Sequence, residues 1–207
     1  MVDKDTVRRG YDELGDTGTD ERAPDGDEET IIRRFLTSLS TPARLLDAGC
    51  GQHSPVLDRL PADAAGLGLD ISRAQLTGAA ESRPGMTLLQ GDLAHVPLAA
   101  DSVDAVTALH SLIHVPAGQH QQVIDEFGRV LAPGGRLLVS EAPDEWSGRN
   151  SDWLGTDVEM EWTIAGADAT REQLRLAGFE IEAERTAGDD LTEEDAGWVF
   201  FEAVLAE

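Results

Sequence analysis

Apolar positions along the chain change period repeatedly, from helical spacing to short continuous runs and back. Ile31, Phe35 and Leu39, with Ile32 and Leu36 beside them, form a helical stripe that Pro42 ends. Residues 43–47 (ARLLD) read as a short buried strand. Ser54-Pro55 then opens a helix, serine as its cap and proline at its first position. Residues 66–70 (GLGLD), 86–89, 103–109 and 136–140 read as further strands. Ser72 with Gln75, and Thr170 with Gln173, have the spacing of capping boxes. Residues 118–131 form a helix with Val123, Phe127 and Val130 on one side, and Gly178 ends the helix that follows Thr170. Two late strands, 180–185 and 198–205, lie close together with no helix between them, which suggests a reversed, antiparallel strand. Residues 12–29, acidic and rich in Gly, Asp and Thr, read as a mobile arm. Strands alternating with helices imply a mostly parallel sheet covered on both faces.

Charge narrows the partners. Forty acidic residues face 16 basic ones, a formal net charge of −24, and Lys4 is the only lysine. Such a surface repels phosphate backbones and anionic lipid, so nucleic acid and membrane are not expected partners. The excess also suits a salty cytoplasm, where self-repulsion is screened. A single cysteine, Cys50, excludes an intrachain disulfide framework and a multi-cysteine zinc site. No apolar run reaches transmembrane length, and the first residues lack a signal-peptide core, so a cytoplasmic protein is expected.

The densest chemical signal is LLDAGCG, residues 45–51, a buried strand running into glycines. Glycines there let a ligand approach the backbone closely. Asp70 ends the second strand 21 residues after Gly49, where a carboxylate can accept two hydrogen bonds from a ribose diol. Asp92 follows the third strand. Asp47, Asp70 and Asp92, at three successive strand ends, would face one crevice, where open α/β sheets bind ligands.

With LLDAGCG, the segments GLGLDIS, LLQGDLAHVPLAADSVDAV and RVLAPGGRLLVSE resemble, in order, the four signature blocks of class I S-adenosylmethionine-dependent methyltransferases. The likeness is close over residues 41–141 and looser towards Tyr11 and REQLRLAGFEI. It implies a Rossmann-like, doubly wound, seven-stranded sheet with a reversed last strand, in a three-layer αβα sandwich. It also implies S-adenosylmethionine as cofactor, S-adenosylhomocysteine as product and a small-molecule methyl acceptor. On that resemblance Asp47, Gly49 and Gly51 line the methionine end. Asp70 holds the ribose, with Ile71 beside the adenine. Asp92 and the Leu93 N–H bind the adenine edge, Ala108 and Leu109 flank the sulfonium, and Tyr11 belongs to an N-terminal lid. His53 stands where the family's G-x-G-x-G has its last glycine. One domain then divides into a lid arm and helix (1–40), a cofactor core (41–142), an acceptor-pocket segment (143–168) and a C-terminal helix and strand pair (169–207).

Candidate bases are His110 and His114, spaced i, i+4 just past the fourth strand, and Glu141 at the end of the fifth. No metal is expected, because Ser111 replaces the HExxH glutamate and no third ligand is evident. Trp146, Trp153 and Trp162, interleaved with acids, suit an apolar, aromatic or cationic acceptor. Cys50 reads as a packing residue, and His95 and His120 as exposed ones. Two alternatives stand beside this one. One is a non-catalytic S-adenosylmethionine-binding partner or sensor. The other is an NAD-dependent oxidoreductase, disfavoured because Ser54 replaces the last glycine of G-x-G-x-x-G and Tyr11 is the only tyrosine.

Overall fold

The computed structural model describes residues 2–15, 26–188 and 197–206. Helices α1 (Lys4–Leu14) and α2 (Gly26–Ser38) precede the alternating part. That part runs β1 (Arg44–Ala48), β2 (Ala65–Asp70), α3 (Arg73–Ser82), β3 (Thr87–Gln90), β4 (Val103–Ala108), α4 (His120–Val130) and β5 (Leu131–Glu141). A hairpin, β6 (Trp146–Trp153) and β7 (Val158–Ile164), comes next. Helix α5 (Ala167–Leu176) and strands β8 (Phe179–Ala187) and β9 (Trp198–Leu205) close the chain.

The sheet order is β3-β2-β1-β4-β5-β9-β8. The first five strands are parallel, and β9 runs antiparallel to both β5 and β8. The expected reversed strand is therefore β9. Alternation along each strand feeds two cores. Leu46, Leu137, Val139 and Phe201 face α4 and α5 and pack with Val123, Ile124, Phe127 and Leu174. Leu45, Leu138 and Phe200 face the other way and pack with Ile32, Phe35 and Leu36 of α2. This split is what makes the sandwich three-layered. Among the described residues no helix is long and apolar enough to cross a membrane.

Five expectations need correction. Residues 12–14 and 26–29 lie in α1 and α2 rather than in an arm; residues 16–25 lie outside the described residues. Ser54-Pro55 opens only one 3-10 turn, Leu57–Arg59, although the Ser54 hydroxyl does accept from the Leu57 N–H. Pro61 explains this: it holds Leu60 extended (ψ 134°), so one turn is all that fits between the prolines. Arg83, just past the end of α3, donates to the Gln52 and Ser54 carbonyls and ties this turn to α3. Thr170 lies inside α5, which starts after Gly166 (φ +84°). His120 is buried, its Nε2–H donating to the Val115 carbonyl at 2.9 Å. The β6–β7 hairpin was not anticipated as strands.

Candidate functional site

The carboxyl ends of β1, β2 and β4 open into one cavity of about 990 Å³. Asp47, Asp70 and Asp92 all line it, with Gly49, Gly51, Ile71, Leu93 and Leu109. The floor is built by a tight backbone turn. The N–H groups of Gly49 and Cys50 both donate to the Leu69 carbonyl, at 2.7 and 3.0 Å, folding the end of β1 back over β2. Gly51 (φ +55°) then presents its N–H to Asp70 Oδ2 at 2.9 Å, and the Ser72 N–H reaches Oδ1 at 2.8 Å. Burial nevertheless pushes the Asp70 carboxyl up to about 6 from 3.8. Each oxygen keeps one accepting site for a further donor. Asp47 is deeper; its oxygens accept from the Ser54 and Thr107 hydroxyls at 2.5 and 2.6 Å, while burial raises its pKa.

Helix α1 covers this half. The Lys4 ammonium sits on Asp92 Oδ2 at 2.5 Å, and the Ala94 N–H takes Oδ1. Asp12 accepts from the Ser72 hydroxyl and the Ala74 N–H, tying α1 to the start of α3. The Asp3 N–H donates to Glu161 of β7 at 2.7 Å. The N-terminal segment thus bridges the carboxylate-lined half to the hairpin.

The other half is aromatic. Trp146, Trp153, Trp162 and Trp198 all line it. Trp153 meets Trp162 edge-on at 5.9 Å and Tyr11 at 5.4 Å. The His114 ring lies 6.1 Å from Trp162 and 5.3 Å from Tyr11. His114 Nδ1 faces the Glu161 carbonyl at 3.2 Å, which only accepts, so Nδ1 carries the proton. Nε2 therefore accepts from the Tyr11 hydroxyl at 2.9 Å. Burial pushes the His114 pKa down to about 4, keeping the ring neutral at pH 7.

His110 adopts φ +52°, a left-handed conformation rare outside glycine. Its N–H is held by the Ser140 hydroxyl at 2.7 Å, and its ring stands edge-on to Trp198 at 4.4 Å. Nε2–H donates to the buried Glu28 carboxylate at 3.1 Å, while Nδ1 is sealed and has no hydrogen-bond partner.

Two expected site residues do not reach the cavity. Ala108 is wholly enclosed in the core. Glu141 is fully buried beneath α5, accepting from the Ala142 N–H at 2.9 Å and the Thr170 hydroxyl at 3.4 Å. It is a clamp between β5 and α5, with burial pushing its pKa up to about 7. Because its folded pKa lies above the ordinary 4.5, Glu141 destabilises the fold above about pH 7, and that cost disappears as pH falls to 4.5. Glu141→Gln is expected to be more stable than wild type at pH 8 by on the order of 2 kcal/mol. The gap should close by pH 4.5 in urea titrations; equal stabilities at both pH values would refute the assignment.

Lys4, Glu28, Ser111 and Trp198 line the cavity without having been singled out. Glu28 had a signal: it stands i, i+4, i+7 with Ile32 and Phe35, on the inward stripe of α2. His53 lines the cavity as an exposed residue, so the missing glycine does not close it.

The profile of a family described as "Methyltransferase domain" matches residues 46–139, from β1 through β5. The chain belongs to the class I S-adenosylmethionine-dependent methyltransferases. Methyltransferase GfsG of Streptomyces halstedii is 36% identical over 112 residues, 50% of this chain and 39% of that protein. The malonyl-[acyl-carrier protein] O-methyltransferase of Methylococcus capsulatus is 34% identical over 148 residues, 67% of this chain and 52% of that one. The chain thus spans about half the length, or less, of these curated relatives. A Haloferax volcanii methyltransferase, solved in complex with the Trm112 methyltransferase activator, has the same fold. Its TM-score is 0.73 at 18% identity, covering 97% of this chain and 98% of that one.

The lining of this methyltransferase domain fits the family's cofactor, S-adenosylmethionine. A desolvated Asp70 carboxylate with an accepting site left on each oxygen matches the two donors of a ribose diol. Ile71 and Leu93 supply apolar lining in the same cavity as Asp92.

Proposed function

We propose that the chain moves a methyl group from S-adenosylmethionine to a small-molecule acceptor by in-line displacement. The observation that carries this reading is the continuity of the cavity. Three strand-end carboxylates line one half and four indoles the other, with no wall between them. When bound, S-adenosylmethionine supplies an electrophilic sulfonium methyl. The protein's task is then to orient the acceptor behind that methyl, at about 3–3.5 Å, and to exclude water. Helix α1 and the hairpin form the cover, and residues 143–168 form the acceptor segment. For an acceptor that must lose a proton, that proton leaves to water in the cavity, because His110 Nδ1 is sealed from it. Glu28 holds the His110 Nε2–H and so fixes the ring against the cavity wall. His114 positions the Tyr11 hydroxyl on the acceptor side of the cavity.

Methyl-labelled S-adenosylmethionine, incubated with the protein and the low-mass fraction of a cell extract, is expected to label a small molecule. S-adenosylhomocysteine should bind in calorimetry and NADH should not. Binding without label in any fraction would instead favour a non-catalytic sensor or partner.

A further inference from the structure

The acceptor half of the cavity has a charge pattern that narrows its ligand. Its mouth, between β5 and β6, carries Asp144 and Glu145 beside the half-exposed Trp146. Deeper in, the walls are Trp153, Trp162 and Trp198. Among the described residues that line the whole cavity there is no arginine. The one lysine, Lys4, is already matched by Asp92 at 2.5 Å in the cofactor half. An anionic acceptor entering here would lose its hydration and find no cation to replace it. A cation meets the opposite: carboxylates at the entrance, indole faces inside, and a protein of net charge −24 behind them.

We propose that the acceptor is an amine, cationic in solution and carried on an apolar or aromatic body, and that carboxylate-bearing acceptors are excluded. This rests on the methyltransferase reading and adds the acceptor's chemical class. The order of events follows from the geometry. The ammonium form is drawn to the mouth by Asp144 and Glu145, and the apolar body packs among the indoles. For transfer, one N–H proton leaves to water in the cavity. The freed nitrogen lone pair forms the N–CH3 bond as the C–S bond breaks, its electron pair staying on sulfur. Products are the methylated ammonium, the thioether and one proton released to solvent.

The test is calorimetry on the full chain saturated with S-adenosylhomocysteine, using tryptamine and indole-3-acetate as matched probes. Tryptamine is expected to bind at least tenfold more tightly at low salt, with the preference shrinking in 1 M KCl. Asp144→Asn with Glu145→Gln, both on the exposed rim where folding is not at stake, should reduce the preference at least threefold. Trp162→Ala should weaken both probes together. Equal affinities, tighter binding of the carboxylate, or binding of neither probe to the loaded protein would overturn the proposal. Absence of any heat with S-adenosylhomocysteine would instead sink the methyltransferase reading, so the two failures are distinct.

Discussion

Asp70→Asn weakens S-adenosylhomocysteine binding at least 100-fold, the larger of two expected effects on the cofactor half. The carboxylate is the only group at the end of β2 able to accept from two hydroxyls while held by two backbone N–H groups, those of Gly51 and Ser72. Hydrogen bonds to a charged group contribute about 1.5–3 kcal/mol each. Losing the charge and one accepting oxygen therefore removes about 3 kcal/mol, or about two decades of affinity. The same logic fixes a pH dependence. Burial places the free Asp70 carboxyl at about 6, so binding should weaken as pH falls through 6 and the second acceptor is protonated. Calorimetry at pH 8 and pH 5 measures both. A variant that binds within threefold of wild type, with an unchanged near-ultraviolet spectrum, would show that Asp70 is not the ribose ligand.

Why Asp70 stands out in the sequence far more clearly than Glu28 is a matter of range. Asp47, Asp70 and Asp92 each end or follow a strand whose apolar run is visible locally, and the parallel sheet brings all three ends to one edge. Glu28 reaches His110 across 82 positions of chain, on a helix whose first turn is hidden in an acidic, glycine-rich stretch. The hairpin had a readable signal: Val158, Met160, Trp162 and Ile164 alternate with polar residues at the strand period. It was masked by Gly, Asn, Ser and Asp in β6, residues that disfavour strands when taken one at a time. Ser54-Pro55 failed for the opposite reason. Its local start signal was sound, but Pro61 removed the length on which a helix depends. Glu141 was placed on the rim because it ends a strand, yet the strand's last side chain turns inward to Thr170. Position along β5 does not report which way the final residue faces.

The turn that makes Asp70 usable depends on Gly49, and Gly49→Ala should cost about 3 kcal/mol or more. Two terms add. The backbone sits at φ +85°, where an L side chain costs about 1–2 kcal/mol. A Cβ there would also stand 2.4 Å from Ser111 Cβ and 3.1 Å from its Oγ. Because Cβ is fixed to the backbone, no rotamer relieves that contact, and overpacking of this kind costs about 1–3 kcal/mol. The displaced turn would pull the Gly49 and Cys50 N–H groups from the Leu69 carbonyl and the Gly51 N–H from Asp70, so cofactor affinity should fall with stability. A second substitution separates the terms. Ser111→Gly removes both contacting atoms and leaves Ser111 Cα at 3.7 Å, an ordinary contact. The double variant Gly49→Ala/Ser111→Gly should recover the steric share, at least 1 kcal/mol, and keep the φ penalty. Urea midpoints and S-adenosylhomocysteine calorimetry on the two single variants and the double measure this directly. If Gly49→Ala alone matches wild type, or if Ser111→Gly restores nothing, the close approach of β1 to the segment after β4 does not set the cofactor turn.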